Sequence, residues 1–242
     1  MRYFLELAYN GTNYHGWQIQ PNANTIQHEI NYCLSTLLHQ EVNVVGAGRT
    51  DTGVHAEKMY AHFDIDNLKL SKRFIQRVNN FLPQDIKVFK IFLVDNDMHA
   101  RFSAIRRTYR YYISREKNLF NPNSYVYFRN LDLELMNEAC KFLLSKHDFS
   151  SFAKSKTQNH HNNCEVFQAQ WNLINKEMVF TISADRFLRN MVRSIVGTLL
   201  LVGEEKISPQ EICNILMQKD RSLAGRSVPA HGLFLTNIIY PD

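Results

Sequence analysis

The sequence is short of several features that would each point somewhere definite. Its four cysteines, Cys33, Cys140, Cys164 and Cys213, stand far apart in 242 residues, with no CxxC pair. That is not a disulfide scaffold, and it suits a reducing compartment, so a cytoplasmic location is expected. No apolar run approaches the roughly 20 residues that span a bilayer. The opening MRYFLELAYNG alternates where a secretory leader would carry an apolar block, so export and a membrane partner are not expected. A P-loop, a Ser/His/Asp signature and a context for Cys-based catalysis are all missing. Nor is there any low-complexity segment.

What is present is the composition of a folding chain. Apolar residues make up 45% and aromatics 12%, enough for a substantial core. The length suits one large domain or two small ones. The net charge of +5 is mild, but its location is informative. Residues 101–129 hold seven Lys/Arg (101, 106, 107, 110, 115, 117 and 129) against one acid, Glu116. This stretch carries +6, so the remainder sums to −1. It also holds eight aromatics: Phe102, Tyr109, Tyr111, Tyr112, Phe120, Tyr125, Tyr127 and Phe128. Cations for phosphates and flat rings for bases are what a nucleic-acid surface needs. A basic strand whose tyrosines simply pack would have the same composition.

Periodicity gives the organisation. Arg2–Tyr9 alternates as a strand. Asn24 with Gln27 forms a capping-box pattern ahead of a helix over 25–39. A short strand at Val42–Val45 enters a Gly-rich turn, and Met59–Ile65 is a further strand. Ser71 caps a helix closed by Pro83, and Ile86–Val94 is again a strand. The order βαββαβ is that of a ferredoxin-like half. The remainder repeats it loosely: a strand over 104–114, a helix over 132–145 and a hairpin turning at Asn175-Lys176. A helix over 186–202 follows, then an extra helix opened by Ser208-Pro209, and a strand over 232–240. The expected fold is α+β: two ferredoxin-like βαββαβ-type halves with mainly antiparallel sheets. The halves divide as 1–103 and 104–242. The polar run 154–163 reads as a loop.

The densest punctuation is Gly46-Ala47-Gly48-Arg49-Thr50-Asp51-Thr52-Gly53-Val54-His55-Ala56. Three glycines after a strand mark a tight loop. A dinucleotide fingerprint would need Gly at 51 and a helix to follow; Asp51 stands there and no helical pattern does, which argues against a nucleotide-dependent oxidoreductase. An Asx-turn with a local Arg–Asp salt bridge accounts for the loop as well as catalysis does. His160, His161 and Cys164 are metal ligands by type, but they lack a fourth group at usual spacing. His15 and His55 are isolated. In the helix over 186–202, Arg189 and Arg193 are four apart and share one face. Arg193 borders apolar positions, where a guanidinium needs either a carboxylate partner or a route to solvent; the candidate partner is Asp51.

Six blocks resemble the tRNA pseudouridine synthase A family. They are Leu7-Ala8-Tyr9-Asn10-Gly11-Thr12 with Tyr14-His15-Gly16-Trp17-Gln18-Ile19-Gln20; Gly48 to Ala56; and His99-Ala100-Arg101-Phe102-Ser103-Ala104 with Arg107-Thr108-Tyr109-Arg110-Tyr111. The others are His147 to Phe152, Met191-Val192-Arg193-Ser194-Ile195-Val196-Gly197, and Pro229-Ala230-His231-Gly232-Leu233. The resemblance implies isomerisation of uridine to pseudouridine at positions 38, 39 and 40 in the anticodon stem-loop of tRNA. It implies no cofactor, no metal, a homodimer, and an RNA-binding cleft flanked by the two α+β halves. Asp51 matches the family's nucleophile and Arg193 its guanidinium partner. Tyr109 matches the tyrosine that stacks on the target base, and Arg49 the arginine that helps hold that base flipped out. The segment 160–164 departs from many relatives, which carry a basic residue there. The competing reading is a non-catalytic RNA-binding module.

Overall fold

The computed structural model describes the chain except for residues 67, 69, 118, 120–122, 155–160 and 242. Strands β1 (Arg2–Tyr9), β2 (Val45–Gly46), β3 (His55–Asp64) and β4 (Ile86–Val94) alternate with helices α1 (Ile26–Leu38) and α2 (Lys72–Phe81). Then come β5 (Arg106–Ser114), β6 (Tyr125–Val126), α3 (Leu133–Lys141), β7 (Ser145–Asp148), β8 (Asn163–Ile174) and β9 (Glu177–Ala184). Helices α4 (Met191–Gly203) and α5 (Glu211–Gln218) precede the last strand, β10 (Leu233–Ile239). The fold is mixed α/β and mostly antiparallel. Two compact units emerge, Met1–Ile105 with Phe234–Asp242, and Arg106–Leu233. The closing strand thus groups with the first unit, whereas a division at 103/104 leaves it in the second half.

In the first unit β1 lies between β3 and β4, antiparallel to both. Leu5 and Leu7 are fully buried, and on the opposite face Phe4 is covered edge-on by Tyr240 at 5.3 Å. A strand buried on both faces reads as a nearly continuous apolar run, as Tyr3-Phe4-Leu5 does. β10 runs parallel to β3 where Phe234 and Leu235 meet His55 and Ala56. Ser71 caps α2 as its sequence predicts, accepting from Phe74 N–H. The Asn24–Gln27 capping box does not form. Helix α1 starts at Ile26, and its first amides, Ile26 and Gln27, donate instead to the carbonyls of Gly16 and Trp17. The Gln27 side chain bridges Ile19 N–H and Val44 C=O. The expected strand at 42–45 shrinks to β2 because Val42 and Val44 N–H donate to Ser35 and Asn31 side chains on α1.

In the second unit β5, β9, β8 and β7 are adjacent in that order and antiparallel, with β6 parallel to β5. The β8–β9 hairpin turns at Asn175 and Lys176, both with positive φ (48° and 68°), as a two-residue hairpin requires. In α4 every residue except Arg193 and Leu201 is buried, the mark of a helix at the centre of a core. Two helix boundaries differ from the periodic reading. Helix α3 stops at Lys141, and Ser145, at φ 78°, opens β7 rather than closing a helix. Helix α4 starts only at Met191, because Asn190 adopts a left-handed φ of 67°. Arg189 therefore precedes the helix, and no shared helical face joins it to Arg193.

Candidate active site

Arg49 and Asp51 lie in the loop between β2 and β3, Arg49 exposed and Asp51 half-buried. Main-chain bonds hold this loop against residues 9–17, more than thirty positions earlier. Trp17 N–H donates to Thr50 C=O (3.2 Å) and Gly53 N–H to Tyr14 C=O (3.3 Å). Val54 N–H donates to Asp51 C=O (3.1 Å), closing a turn whose third residue, Gly53, has φ 76°. That left-handed position is one glycine takes without strain. Gly16 is at φ 90°, and a Cβ there would stand 2.4 Å from the Thr50 carbonyl oxygen. The loop's exit is pinned by His55, buried, whose Nδ1 accepts from Gly11 N–H (3.0 Å) and whose ring stacks on Phe234 at 4.5 Å. His55 is thus a structural histidine.

The frame has a side-chain layer that sequence reasoning missed. Tyr9 and Thr50 share a hydrogen bond of 2.8 Å between their hydroxyls, both residues being buried. Tyr14 donates to Asp85 at 2.6 Å; burial first, then the carboxylate, pushes this phenol above its ordinary range. Tyr9 and Tyr14 stand in a quoted block, but nothing in the sequence pairs them with residues 41 and 71 positions away.

In the second unit, Tyr109 is on β5 opposite Ile182 and half-buried, with its ring edge-on to Phe187 at 5.1 Å. Two residues on, Tyr111 is fully buried and donates to Pro229 C=O at 2.8 Å. Arg193, half-buried on α4, donates from Nε to Val228 C=O at 2.7 Å and accepts Val228 N–H at its own carbonyl. The adjacent carbonyls of Val228 and Pro229 are thus held from α4 and β5 respectively. Burial pushes the Tyr111 phenol up, Tyr125 adds to that, and the Arg193 charge works against it. Helix α4 approaches this segment closely at Gly197, where a Cβ would come 1.8 Å from the Arg226 carbonyl oxygen. The quoted Gly197 is therefore a packing requirement.

The basic, aromatic stretch resolves into different parts. Tyr111 is core, Phe102 and Phe128 are highly exposed (76% and 80%), and Phe120 lies outside the described residues. Arg106, Arg110, Arg115 and Lys117 are exposed, Arg106 lying over the Phe167 ring at 4.4 Å. Arg129 is committed to Glu204, which Lys206 and Tyr127 also bond. Among the described residues no three His, Cys, Asp or Glu side chains converge as a metal site, and His160 is outside them. No helix among the described residues is long and apolar enough to cross a membrane.

Comparison with known proteins gives this arrangement a context. A family model described as tRNA pseudouridine synthase matches residues 139–241. The chain is similar along its whole length to proteins named tRNA pseudouridine synthase A. That of Azobacteroides pseudotrichonymphae is 48% identical over 242 residues, covering 100% of this chain and 97% of the relative. That of Parabacteroides distasonis is 49% identical, covering 100% and 96%. The Bacillus subtilis relative is 38% identical over 247 residues, covering 100% of each. The class these matches define is that of the pseudouridine synthases, enzymes that isomerise a nucleotide in place. Within it, the chain belongs to the tRNA pseudouridine synthase A family.

Proposed function

We propose that this chain converts uridine to pseudouridine at positions 38, 39 and 40 in the anticodon stem-loop of tRNA, without a cofactor. It works in the cytoplasm as a homodimer of two-half protomers, each half ferredoxin-like. The observation that carries the reading is similarity over the full chain to proteins named tRNA pseudouridine synthase A, in a chain that holds the Arg49-Thr50-Asp51 loop. The βαββαβ order over residues 2–94 supports the first half's assignment.

The chemistry follows from the residues. In pseudouridine formation the bond from the sugar to the base nitrogen breaks, the base turns, and a bond to a ring carbon forms. That carbon gives up its proton and the nitrogen gains one, so product and substrate are isomers. No oxidant, reductant or co-substrate is consumed. Asp51 acts as the nucleophile toward the nucleotide and is released again as a carboxylate when the new bond to carbon forms, with Arg193 in the role of its guanidinium partner. Tyr109 stacks on the target base, its hydroxyl available for proton transfer. Arg49, exposed on the loop, helps hold the base out of the helix, as a base buried in a stem must be.

The test is pseudouridine mapping by carbodiimide-primed reverse transcription on tRNA incubated with the pure protein. The expected result is signal at 38–40 with wild type and none with Asp51→Ala, while Asp51→Ala still binds tRNA. Binding without signal in the wild type would instead identify a non-catalytic RNA-binding module, for which the exposed Phe102 and Phe128 rings are suited.

A further inference from the structure

A nucleophilic carboxylate needs a fixed aim as well as charge, because an error of about 1 Å in placement costs a large part of the rate. Asp51 is on a loop, so its aim depends on what holds its neighbours. Downstream the hold is main-chain: Gly53 N–H on Tyr14 C=O and Val54 N–H on Asp51 C=O. Upstream, Thr50 is gripped twice. Trp17 N–H takes its carbonyl, and the Tyr9 hydroxyl takes its side chain.

The Tyr9–Thr50 bond is built rather than incidental. Both side chains are buried, Tyr9 at 4% and Thr50 at 8% exposure, where a hydroxyl without a partner is costly. The Tyr9 ring is wedged against Trp17 at 6.1 Å, tilted by 38°. Trp17 is itself buried and its main-chain N–H bonds the Thr50 carbonyl, so the same two residues hold the carbonyl and the side-chain hydroxyl of Thr50. The β1–β3 pairing shifts register between Leu7 and Tyr9, and the β1–β4 pairing shifts between Glu6 and Leu7. In both shifts the extra residue belongs to the partner, to β3 between Ala56 and Met59 and to β4 between Val88 and Lys90, so the irregularity falls on the strand that leads out of the Asp51 loop while β1 runs on regularly to Tyr9. Phenylalanine at position 9 would fill nearly the same volume and leave the buried Thr50 hydroxyl without this partner.

We infer that Tyr9 is a positioning residue for the reaction, fixing the aim of the Asp51 carboxylate through the Thr50 hydroxyl. This rests on the nucleophile role assigned to Asp51. The role is distinct from packing because it resides in a single oxygen atom.

Four variants test it: Tyr9→Phe, Thr50→Val, the double variant, and Thr50→Ser, which keeps the hydroxyl. Single-turnover and steady-state pseudouridine formation are measured beside amide hydrogen exchange. The expected result is a drop in kcat of about tenfold for Tyr9→Phe and Thr50→Val, with KM for tRNA unchanged. The double variant falls no further, since the two act as a unit, and Thr50→Ser retains most turnover. The amides of Gly53 and Val54 exchange about tenfold faster in Tyr9→Phe, with β3 unaffected. A hydroxyl that only stabilises the fold lowers Tm while kcat and local exchange stay at wild-type values, and that result overturns the inference. Additive losses in the double variant overturn it as well. Failure of the underlying reading looks different: wild type forms no pseudouridine, or Asp51→Ala forms as much as wild type.

Discussion

In the first unit Asp51 rides on a loop fixed largely by main-chain bonds to residues 14–17, with glycines where backbone meets backbone. In the second unit Tyr109 and Arg193 stand on a strand and a helix whose own ladders hold them, and local adjustment falls to side chains gripping carbonyls at 228 and 229. The difference teaches where each site is fragile. The loop has no room for a Cβ at Gly16, which would meet the Thr50 carbonyl, whereas the exposed Arg49 side chain is expected to be replaceable without moving it. The path of the helix at residue 193 rests on main-chain bonds, Val228 N–H to the Arg193 carbonyl among them, whereas the direction of the guanidinium rests on its own Nε bond to Val228 C=O.

Four experiments press on that contrast. The largest effect is expected from Arg193→Lys. An ammonium cannot reproduce the Nε bond to Val228 together with a second aimed contact, so turnover should fall roughly 100-fold, as when one aimed donor is lost. The main-chain bond from Val228 to residue 193 persists, so circular dichroism and Tm should stay close to wild type; near-normal turnover would remove Arg193 from the chemistry.

Next come Gly16→Ala and Gly197→Ala, measured by urea unfolding. Each forces a methyl into a carbonyl oxygen, at 2.4 Å and 1.8 Å respectively, and overpacking of this kind costs about 1–3 kcal/mol. Gly197→Ala should be the less stable. Gly16→Ala should lose more turnover per folded molecule, because the displaced carbonyl belongs to Thr50. Equal turnover in the two variants would erase the proposed contrast.

A smaller effect concerns binding. Replacing exposed Arg106, Arg110 and Lys117 with Gln should flatten the plot of log K for tRNA against log[salt] by roughly 2, at about 0.7–0.9 per phosphate contact. An unchanged slope would mean that these cations do not meet the backbone.

The smallest effect is a pH dependence confined to the first unit. His62 is buried and accepts Ala100 N–H at 3.1 Å. Burial first, then the charges of Arg2 and His99, lower it from the ordinary 6.5 to about 4. The unfolded chain therefore takes up a proton between those values that the folded chain refuses. The stability involved is full above 6.5 and is lost as pH falls toward 4. Melting curves from pH 7 to 5 should drop less steeply for His62→Gln than for wild type; parallel curves would show that His62 is not the source.

Much of the framework was legible because local chemistry and tertiary structure agree. Ser71 caps α2, β1 and β4 carry their own apolar alternation, and Asn175-Lys176 turns a hairpin. Legibility failed where distant backbone took over a local task. The start of α1 needs no side-chain cap when Gly16 and Trp17 supply carbonyls. The apolar spacing Phe187–Met191–Ile195 runs straight through Asn190, whose left-handed backbone leaves no trace in that spacing. The identity of Asp51 came from resemblance, since turn chemistry alone accounts equally well for its neighbours. The frame that grips it was hidden for a physical reason: the Tyr9–Thr50 bond joins two ordinary residues that no pattern relates.

The parallel pairing of β10 with β3 also bears on how the protein is made. Phe234 packs on His55, and Leu235 extends β3 at Ala56, beside the exit of the Asp51 loop. On the ribosome these partners are made far apart in time, with all of Arg106–Leu233 emerging between them. The second unit can therefore reach its own core while the first still lacks a strand. The loop carrying Asp51 acquires the support of β10 only after all of the second unit has been made, so a chain stalled before residue 234 would hold His55 without the ring that stacks on it and β3 without its parallel neighbour.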